Sequence, residues 1–89
     1  VLWGAGPVGK AWSRALRGAG HAVEAFVEVD PARIGTTLHG APVVAVEEAG
    51  RLRGALHLAA VGQRGARERI RAEAARLGLE DGRDLLAVA

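Results

Sequence analysis

Several residue types are missing from this sequence of 89 residues. It has no cysteine, so disulfides, thiolate metal sites and cysteine nucleophiles are excluded. It has no tyrosine, which excludes the Tyr and Lys pair that a short-chain dehydrogenase needs. Ser13 is the only serine and falls inside a predicted helix, so a Ser-His-Asp triad is not expected. We therefore predict no catalytic residue in this segment.

Other kinds of site lack support as well. The three histidines are far apart and predict no metal site. We expect His57 to be structural, within a strand, while His39, in a loop, could contact a ligand. Arginines alternate with glutamates in residues 64–76 and no aromatic residue lies among them, which indicates a solvated face and no nucleic-acid partner.

The composition of the sequence and the residues at its ends indicate the class of protein to which it belongs. A hydrophobic fraction of 49%, a charged fraction of 25% and a net charge of +2 indicate a folded domain. No apolar run is long enough to span a membrane, and no signal peptide is visible, so we expect a cytoplasmic location. Methionine is absent and Val1 falls in a predicted strand. We therefore expect the segment to be a fragment of a longer protein.

Short apolar runs alternate with helical patterns along the chain. Strands are predicted at residues 1–3, 21–29, 42–46, 56–61 and 85–89, and helices at residues 8–18, 46–52 and 64–77. Asp30 and Pro31 begin a turn or short helix that ends near residue 34, and residues 36–40 are predicted as a loop. This alternation implies a parallel sheet with helices on both faces, and right-handed crossovers then give a doubly wound topology. The predicted fold class is α/β, a doubly wound parallel sheet in a small three-layer sandwich, and residues 1–89 form one domain.

A glycine-rich turn follows the first strand and fits the pattern G-x-G-x-x-G: Gly4, Ala5, Gly6, Pro7, Val8 and Gly9. It opens a helix with apolar residues at helical spacing: Val8, Ala11, Trp12, Ala15, Leu16 and Ala19. The first glycine allows the tight turn, the second lets a pyrophosphate approach the backbone, and the third lets the helix pack closely. This context favours a Rossmann-like site with phosphate at the helix N-terminus. The alternative is that a tight turn between strand and helix needs glycines for its own geometry.

Acidic and polar residues follow the next strands. Glu28 and Asp30 come 19 and 21 residues after Gly9, the spacing of the acid that binds a ribose hydroxyl. Glu28 is the first choice, because Asp30 also caps the turn at Pro31. An acid here favours NAD over NADP, although the nearby Arg33 weakens that inference. After the strand at residues 56–61, Gly62 and Gln63 are further candidates, with Arg64 as a phosphate contact or simply a charge at the helix start.

The motifs resemble a group of small bacterial domains associated with sugar-modifying enzymes. The segments are VLWGAGPVGK at residues 1–10, FVEVDPARIG at 26–35, HGAPV at 39–43 and EDGRDLLAVA at 80–89. They are similar to the Rossmann domain appended to family 2 glycosyltransferases and to the N-terminal domain of PglD-type sugar acyltransferases. The group also includes the nucleotide-binding domains of polysaccharide-biosynthesis dehydratases. Redox-sensing repressors and CoA-binding domains share the Asp-Pro, Ile-Gly and Gly-x-Pro-Val spacing. The resemblance implies a sugar-nucleotide site at Gly4, Gly6, Gly9 and Glu28, and it transfers no catalytic residue.

Three functions remain open at this point. The first is an accessory domain that binds a nucleotide, a sugar nucleotide or NAD beside the catalytic domain of a parent chain, such as a glycosyltransferase. The second is the dinucleotide-binding half of an NAD-dependent oxidoreductase. The third is a structural module without a ligand, and a homo-oligomer is compatible with each of them.

Overall fold

A computed structural model describes residues 1–63 and 65–88. The strands of this part are β1 (Leu2–Trp3), β2 (Phe26–Glu28), β3 (Thr37–Leu38), β4 (Ala41–Ala45), β5 (His57–Ala59) and β6 (Leu85–Ala87). The helices are α1 (Pro7–Gly18) and α2 (Ala66–Arg76), and a 3-10 helix covers Val46–Leu52. The predicted elements are present, most of them with shorter bounds.

The strands form one sheet in the order β3-β4-β2-β1-β5-β6. Neighbouring strands from β4 to β6 run parallel, as predicted, and β3 pairs with β4 in the antiparallel direction. The chain leaves the central β1 towards β2 and β4 and later returns to the other side of β1 at β5. In open sheets of parallel strands, ligands bind at the carboxyl ends of the strands beside such a reversal.

Helices cover both faces of the sheet, which confirms the three-layer α/β fold. Leu2 faces the side covered by α1, where it packs in a cluster with Phe26 and Val43. Trp3, the next residue, faces the side covered by α2 and the 3-10 helix, in a cluster that includes Ile70. Because adjacent residues of a strand point to opposite faces, the two residues of β1 supply both cores.

Small residues lie where α1 comes closest to the sheet. Gly9 and Ser13 are buried there, and the larger side chains beside them pack against the sheet from either side. Part of the predicted apolar face was wrong, because three of its alanines are exposed: Ala11, Ala15 and Ala19. Ser13 is buried despite its hydroxyl because Oγ forms a hydrogen bond of 2.9 Å with Nδ1 of His39.

A β-hairpin occupies the segment predicted as a loop at residues 36–40. Thr37 and Leu38 pair with Pro42 and Ala41, so β3 and β4 are joined by two residues. These are His39, with φ 50°, and Gly40, with φ 79°. Two successive residues with positive φ form the tight turn that matches the twist of a hairpin. The prediction missed it because histidine is less typical of this position than asparagine or glycine.

The second strand is shorter than predicted. The alternation of residues 21–29 indicated one long strand, but only Phe26–Glu28 is extended and paired on both sides. Its partner β1 has two residues, so only a short stretch of backbone can pair with it. Residues 21–24 pair with no strand, and of their side chains only that of Val23 is partly buried. Alternation of apolar residues in the sequence did not distinguish a paired strand from such an unpaired segment.

Helix α2 begins later than predicted, at Ala66. Arg64 and Arg69 each stand four residues before a glutamate, a spacing that predicts ion pairs with Glu68 and Glu73. Arg64 lies outside the described residues, and the second prediction is wrong, because Glu73 pairs with Arg76 at 2.8 Å. Glu68 accepts a hydrogen bond from the backbone N–H of Gly65 at 3.0 Å and so caps the helix start. In the part of the chain that the structure describes, no helix has the length and apolarity to cross a bilayer.

A buried histidine links the central strand to its neighbour. Trp3 Nε1 donates a hydrogen bond to Nδ1 of His57 at 2.9 Å, and Nε2 of the same ring lies 2.8 Å from the carbonyl oxygen of Leu52. Because the indole N–H only donates, Nδ1 must accept and Nε2 must carry the proton. His57 is therefore neutral and structural, as predicted, and burial lowers the pKa of His57 below its ordinary value.

This arrangement makes stability depend on pH. The unfolded chain protonates His57 with a pKa of about 6.5, whereas the folded chain resists protonation. We expect the contribution of His57 to the free energy of unfolding to be constant above pH 7.5 and to fall below pH 6.5, by up to about 1.4 kcal/mol per pH unit. Urea unfolding at pH 7.5 and 5.5 measures this. His57→Gln should flatten the dependence, and His21→Gln, at an exposed position, should leave it unchanged; an equal slope in both variants would contradict the assignment.

Candidate functional site

A cleft of about 520 Å³ opens at the carboxyl edge of the sheet, beside the chain reversal between β1 and β5. It reaches from the end of β2, across the glycine turn, to the loop after β5 and the first turns of α2. The residues that line it are Trp3, Gly4, Gly6, Pro7, Val8, Val27, Glu28, Val29, Asp30, Arg33, Ala60, Val61, Gly62, Gln63, Gly65, Ala66, Arg69 and Ile70. A volume of this size is in the range of small-molecule and cofactor sites.

The glycine turn forms one wall of the cleft, and two of its glycines are required by the backbone. Gly4 has φ 116°, and a Cβ there would lie 2.7 Å from the carbonyl oxygen of Ala60, the residue after β5. A Cβ on Gly9 would overlap the carbonyl oxygen of Gly4. The turn thus brings α1 into direct contact with the end of β1, as the third glycine of the pattern predicts.

The first turn of α1 faces the cleft without a side-chain cap. Gly6 is the N-cap residue, none of the first-turn residues is acidic, and no described side chain caps the turn by a hydrogen bond. Pro7 occupies the first helical position, where it presets φ and removes one N–H donor. The remaining first-turn N–H groups and the positive end of the helix dipole are the features that bind phosphate at helix N-termini.

Glu28 joins the glycine turn to the end of β2. Its Oε2 accepts a hydrogen bond from the N–H of Ala5 at 2.9 Å, and its Oε1 accepts from Val29 at 3.0 Å and Asp30 at 3.2 Å. The side chain is 9% exposed and so is not a solvated charge at a strand end. A carboxylate has about four acceptor positions, and three are occupied by backbone donors. Glu28 therefore links the glycine turn to the loop that follows β2.

Arg33 covers the middle of the glycine turn. Its guanidinium fills the space that a side chain at Gly6 would occupy, with Nη1 2.9 Å from an ideal Cβ position. Nη1 lies 3.5 Å from Oε2 of Glu28, and Nε lies 3.8 Å from Oδ2 of Asp30. Both separations exceed the 2.7–2.9 Å of a charge-assisted hydrogen bond. Asp30 itself caps the following turn, since Oδ1 accepts from the N–H of Ala32 at 3.0 Å.

The opposite wall comes from β5 and α2. Gly62 lies close to the side chain of Val8, at 3.2 Å from an ideal Cβ position, and Gln63 lines the cleft beside it. Arg69, one turn into α2, brings a second guanidinium to the cleft and also borders a smaller pocket of about 170 Å³ next to Glu28. The predicted phosphate contact Arg64 lies outside the described residues.

Eight of the ten predicted site residues line this cleft: Gly4, Gly6, Pro7, Val8, Glu28, Asp30, Gly62 and Gln63. Ala5 and Gly9 shape the turn from behind, through the contacts described above. His39 lies in the β3–β4 turn against Ser13 and does not line the cleft. The sequence analysis did not identify Arg69 as a site residue. Its position one helical turn after Gly65, at the start of a helix that follows a strand, was the signal for it.

The side chains of the described residues limit what the site can bind. Within residues 1–63 and 65–88, no group of three histidine, cysteine, aspartate or glutamate side chains is placed to hold a metal ion. The cleft offers two carboxylates, two guanidiniums, one amide and backbone N–H groups. Such a set can bind and orient a phosphorylated ligand.

Comparisons with known proteins identify relatives by structure only. No protein-family model matches the chain, and no curated protein matches it. The chain is similar to the crystal structure of UDP-D-quinovosamine 4-dehydrogenase from Vibrio fischeri, with a TM-score of 0.78 and 21% identity over 99% of this chain and 75% of that chain. It is also similar to RSP, a Rex-family repressor, with a TM-score of 0.71 and 15% identity over 98% of this chain and 50% of that chain.

A second structure of RSP, in complex with beta-NADH, has a TM-score of 0.69 and 16% identity, over 99% of this chain and 52% of that chain. The chain thus spans about half the length of RSP. At these identities the likeness concerns the fold. It agrees with the strand order, the crossover at β1 and the helices on both faces. This chain has a Rossmann-like α/β fold.

Proposed function

We propose that this domain binds an NAD(H)-type dinucleotide, with the pyrophosphate at the glycine turn. The observation that carries the proposal is the combination of Gly6 with the uncapped first turn of α1, at the mouth of a cleft beside the chain reversal. A pyrophosphate needs close approach to backbone N–H groups, and a residue without Cβ permits it.

The shape of the cleft supports a ligand with groups on both sides of its pyrophosphate. One arm leads to Asp30 at the end of β2, and the other leads to Gln63 after β5. The structural relatives agree with this proposal, since one was solved with beta-NADH and the other is named as a dehydrogenase of a UDP-sugar. This supports the dinucleotide-binding half of an oxidoreductase more than the other candidates.

The ribose contact is proposed for Asp30 rather than Glu28. The spacing predicted Glu28 first, but its oxygens accept hydrogen bonds from three backbone N–H groups. The Asp30 side chain is 49% exposed at the cleft, and its Oδ2 has only the loose pair with Arg33. A free carboxylate oxygen can accept hydrogen bonds from ribose hydroxyls.

Calorimetric titration tests the proposal. We expect NAD⁺ or NADH to bind the domain, and Gly6→Val to weaken binding at least tenfold, because two branched methyl groups would fill the pyrophosphate position. The variant should fold, since the backbone at Gly6 is extended and the nearest atom belongs to the flexible end of Arg33. NADP⁺, UDP, a UDP-sugar and coenzyme A complete the ligand set.

Gly54→Val is the matched control, because an ideal Cβ at Gly54 has no neighbour within 4 Å and the residue is not part of the cleft lining. It should bind as the unchanged domain does. Absence of binding by every ligand at millimolar concentration would reject the proposal and leave a structural module. Equal binding by the Gly6 and Gly54 variants would place the ligand elsewhere.

A sugar nucleotide is the second candidate, and the UDP-sugar dehydrogenase among the structural relatives favours including it. Its diphosphate would use the same turn. A role beside a glycosyltransferase or a PglD-type acyltransferase rests on the sequence motifs alone, and the comparisons add no support for it. Stronger binding of a UDP-sugar than of NAD⁺ would make this candidate the better one.

A further inference from the structure

We infer that Arg33 is a ligand-binding residue that closes over the pyrophosphate at the glycine turn, rather than a contact to an adenosine 2′-phosphate or a surface charge. The inference rests on the proposed function, and it names the cation of the site. It starts from the position of the guanidinium over Gly6, the residue at which a phosphate would approach the backbone.

The guanidinium of Arg33 has unused binding capacity. It has five N–H donors, yet it donates no hydrogen bond to a described residue. Its two carboxylate neighbours lie at 3.5 and 3.8 Å, and its side chain is 46% exposed to the cleft. A planar fork with free donors matches two oxygens of a phosphate group.

The charges around the turn require a cation at this place. Glu28 reaches into the turn to accept the N–H of Ala5, so a buried carboxylate lies one residue from the phosphate position. A pyrophosphate at Gly6 would be repelled by this carboxylate and by Asp30 if no positive charge lay between them. Arg33 already lies beside both carboxylates and over Gly6, and Pro7 has removed one backbone donor that would otherwise contribute.

The position of the guanidinium indicates which phosphate it would bind, the pyrophosphate or the 2′-phosphate of NADP. A 2′-phosphate belongs to the ribose beyond the end of β2, next to Asp30. Nε of Arg33 lies 3.8 Å from Oδ2 of Asp30, but the Nη1 end of its guanidinium reaches the glycine turn, 2.9 Å from an ideal Cβ position at Gly6. A small movement of a flexible side chain would bring it from Glu28 to an anion on the first turn of α1.

Titrations with inorganic pyrophosphate, NAD⁺ and NADP⁺ test the inference. Arg33→Met, which keeps an apolar stem without the charge, should weaken all three ligands by a similar factor of roughly 10 to 100, the range of a hydrogen bond to a charged group. Arg33→Lys should have an affinity between those of the unchanged domain and Arg33→Met, because an ammonium keeps the charge but not the planar pair of donors. Arg51→Ala is the matched control, since Arg51 is exposed and pairs with Glu48 outside the cleft.

The outcomes separate this inference from the proposed function. Unchanged binding by Arg33→Met, or loss of NADP⁺ binding alone, would overturn the inference while leaving dinucleotide binding intact. Binding of pyrophosphate but not of NAD⁺, with loss in Arg33→Met, would support the inference and reject the dinucleotide. Absence of binding by the unchanged domain to all three would reject both. A melting temperature of Arg33→Met near that of the unchanged domain shows that the loss is not unfolding.

Discussion

Gly9→Ala should destabilise the domain by about 3 kcal/mol or more, the upper range of overpacking effects. The added methyl group would overlap the carbonyl oxygen of Gly4, which belongs to the backbone and cannot move as a side chain can. Helix α1 would have to shift away from the end of β1. A domain of this size has a total stability of roughly 5–13 kcal/mol, so the variant should unfold at much lower urea concentration.

Gly18→Ala provides a matched control in the same helix. An ideal Cβ at Gly18 has no neighbour within 4 Å, so alanine there should stabilise the domain by up to about 1 kcal/mol through its helix propensity. The same substitution should thus lower the free energy of unfolding at one end of α1 and raise it at the other. If Gly9→Ala cost less than about 1 kcal/mol, the close contact between α1 and β1 would not be a feature of the protein in solution.

Glu28→Gln should destabilise the domain by about 2–4 kcal/mol, because hydrogen bonds to a charged acceptor contribute roughly 1.5–3 kcal/mol each. An amide has one oxygen, so it cannot accept from both Ala5 and the pair Val29 and Asp30. Its NH₂ group would face backbone donors on one side. Chemical denaturation at pH 7 measures the change.

The control for Glu28→Gln is Glu48→Gln, a carboxylate on the surface whose pair with Arg51 is exposed. Surface ion pairs contribute little, so we expect less than about 1 kcal/mol. Crystallography or the amide shift of Ala5 would show whether the glycine turn has moved in the Glu28 variant. Stability equal to that of the control, together with lost ligand binding, would make Glu28 the ribose ligand that its spacing suggests.

Local patterns were sufficient to predict the fold. The strand before the glycine turn, the helix after it and the strand before Gly62 follow from apolar runs that glycines interrupt. Because the strands are parallel, their carboxyl ends meet at one edge of the sheet, and most of the predicted site residues line one cleft there. Both steps depend on residues close in sequence or on a rule that holds for nearly all parallel sheets.

Other features depend on contacts that spacing does not reveal. The interval between Gly9 and Glu28 suits a ribose ligand, and it suits equally a carboxylate that turns inward to the N–H of Ala5. The burial of Ser13 depends on a hydrogen bond to His39, and His39 reaches it only through a turn with positive φ. The guanidinium of Arg33 reaches Gly6 because the loop after β2 folds back over the glycine turn, and the sequence does not reveal that fold.

The hydrogen bond between Trp3 and His57 has a consequence for the order in which the chain can fold. It joins residues 54 positions apart, and the strands that contain them are paired at the centre of the sheet. Closing a loop of that length slows folding. During synthesis, β1, α1, β2 and β4 can assemble while one side of β1 remains open. The indole of Trp3 gains its partner only when β5 has emerged, so this buried contact marks the joining of the two halves of the sheet.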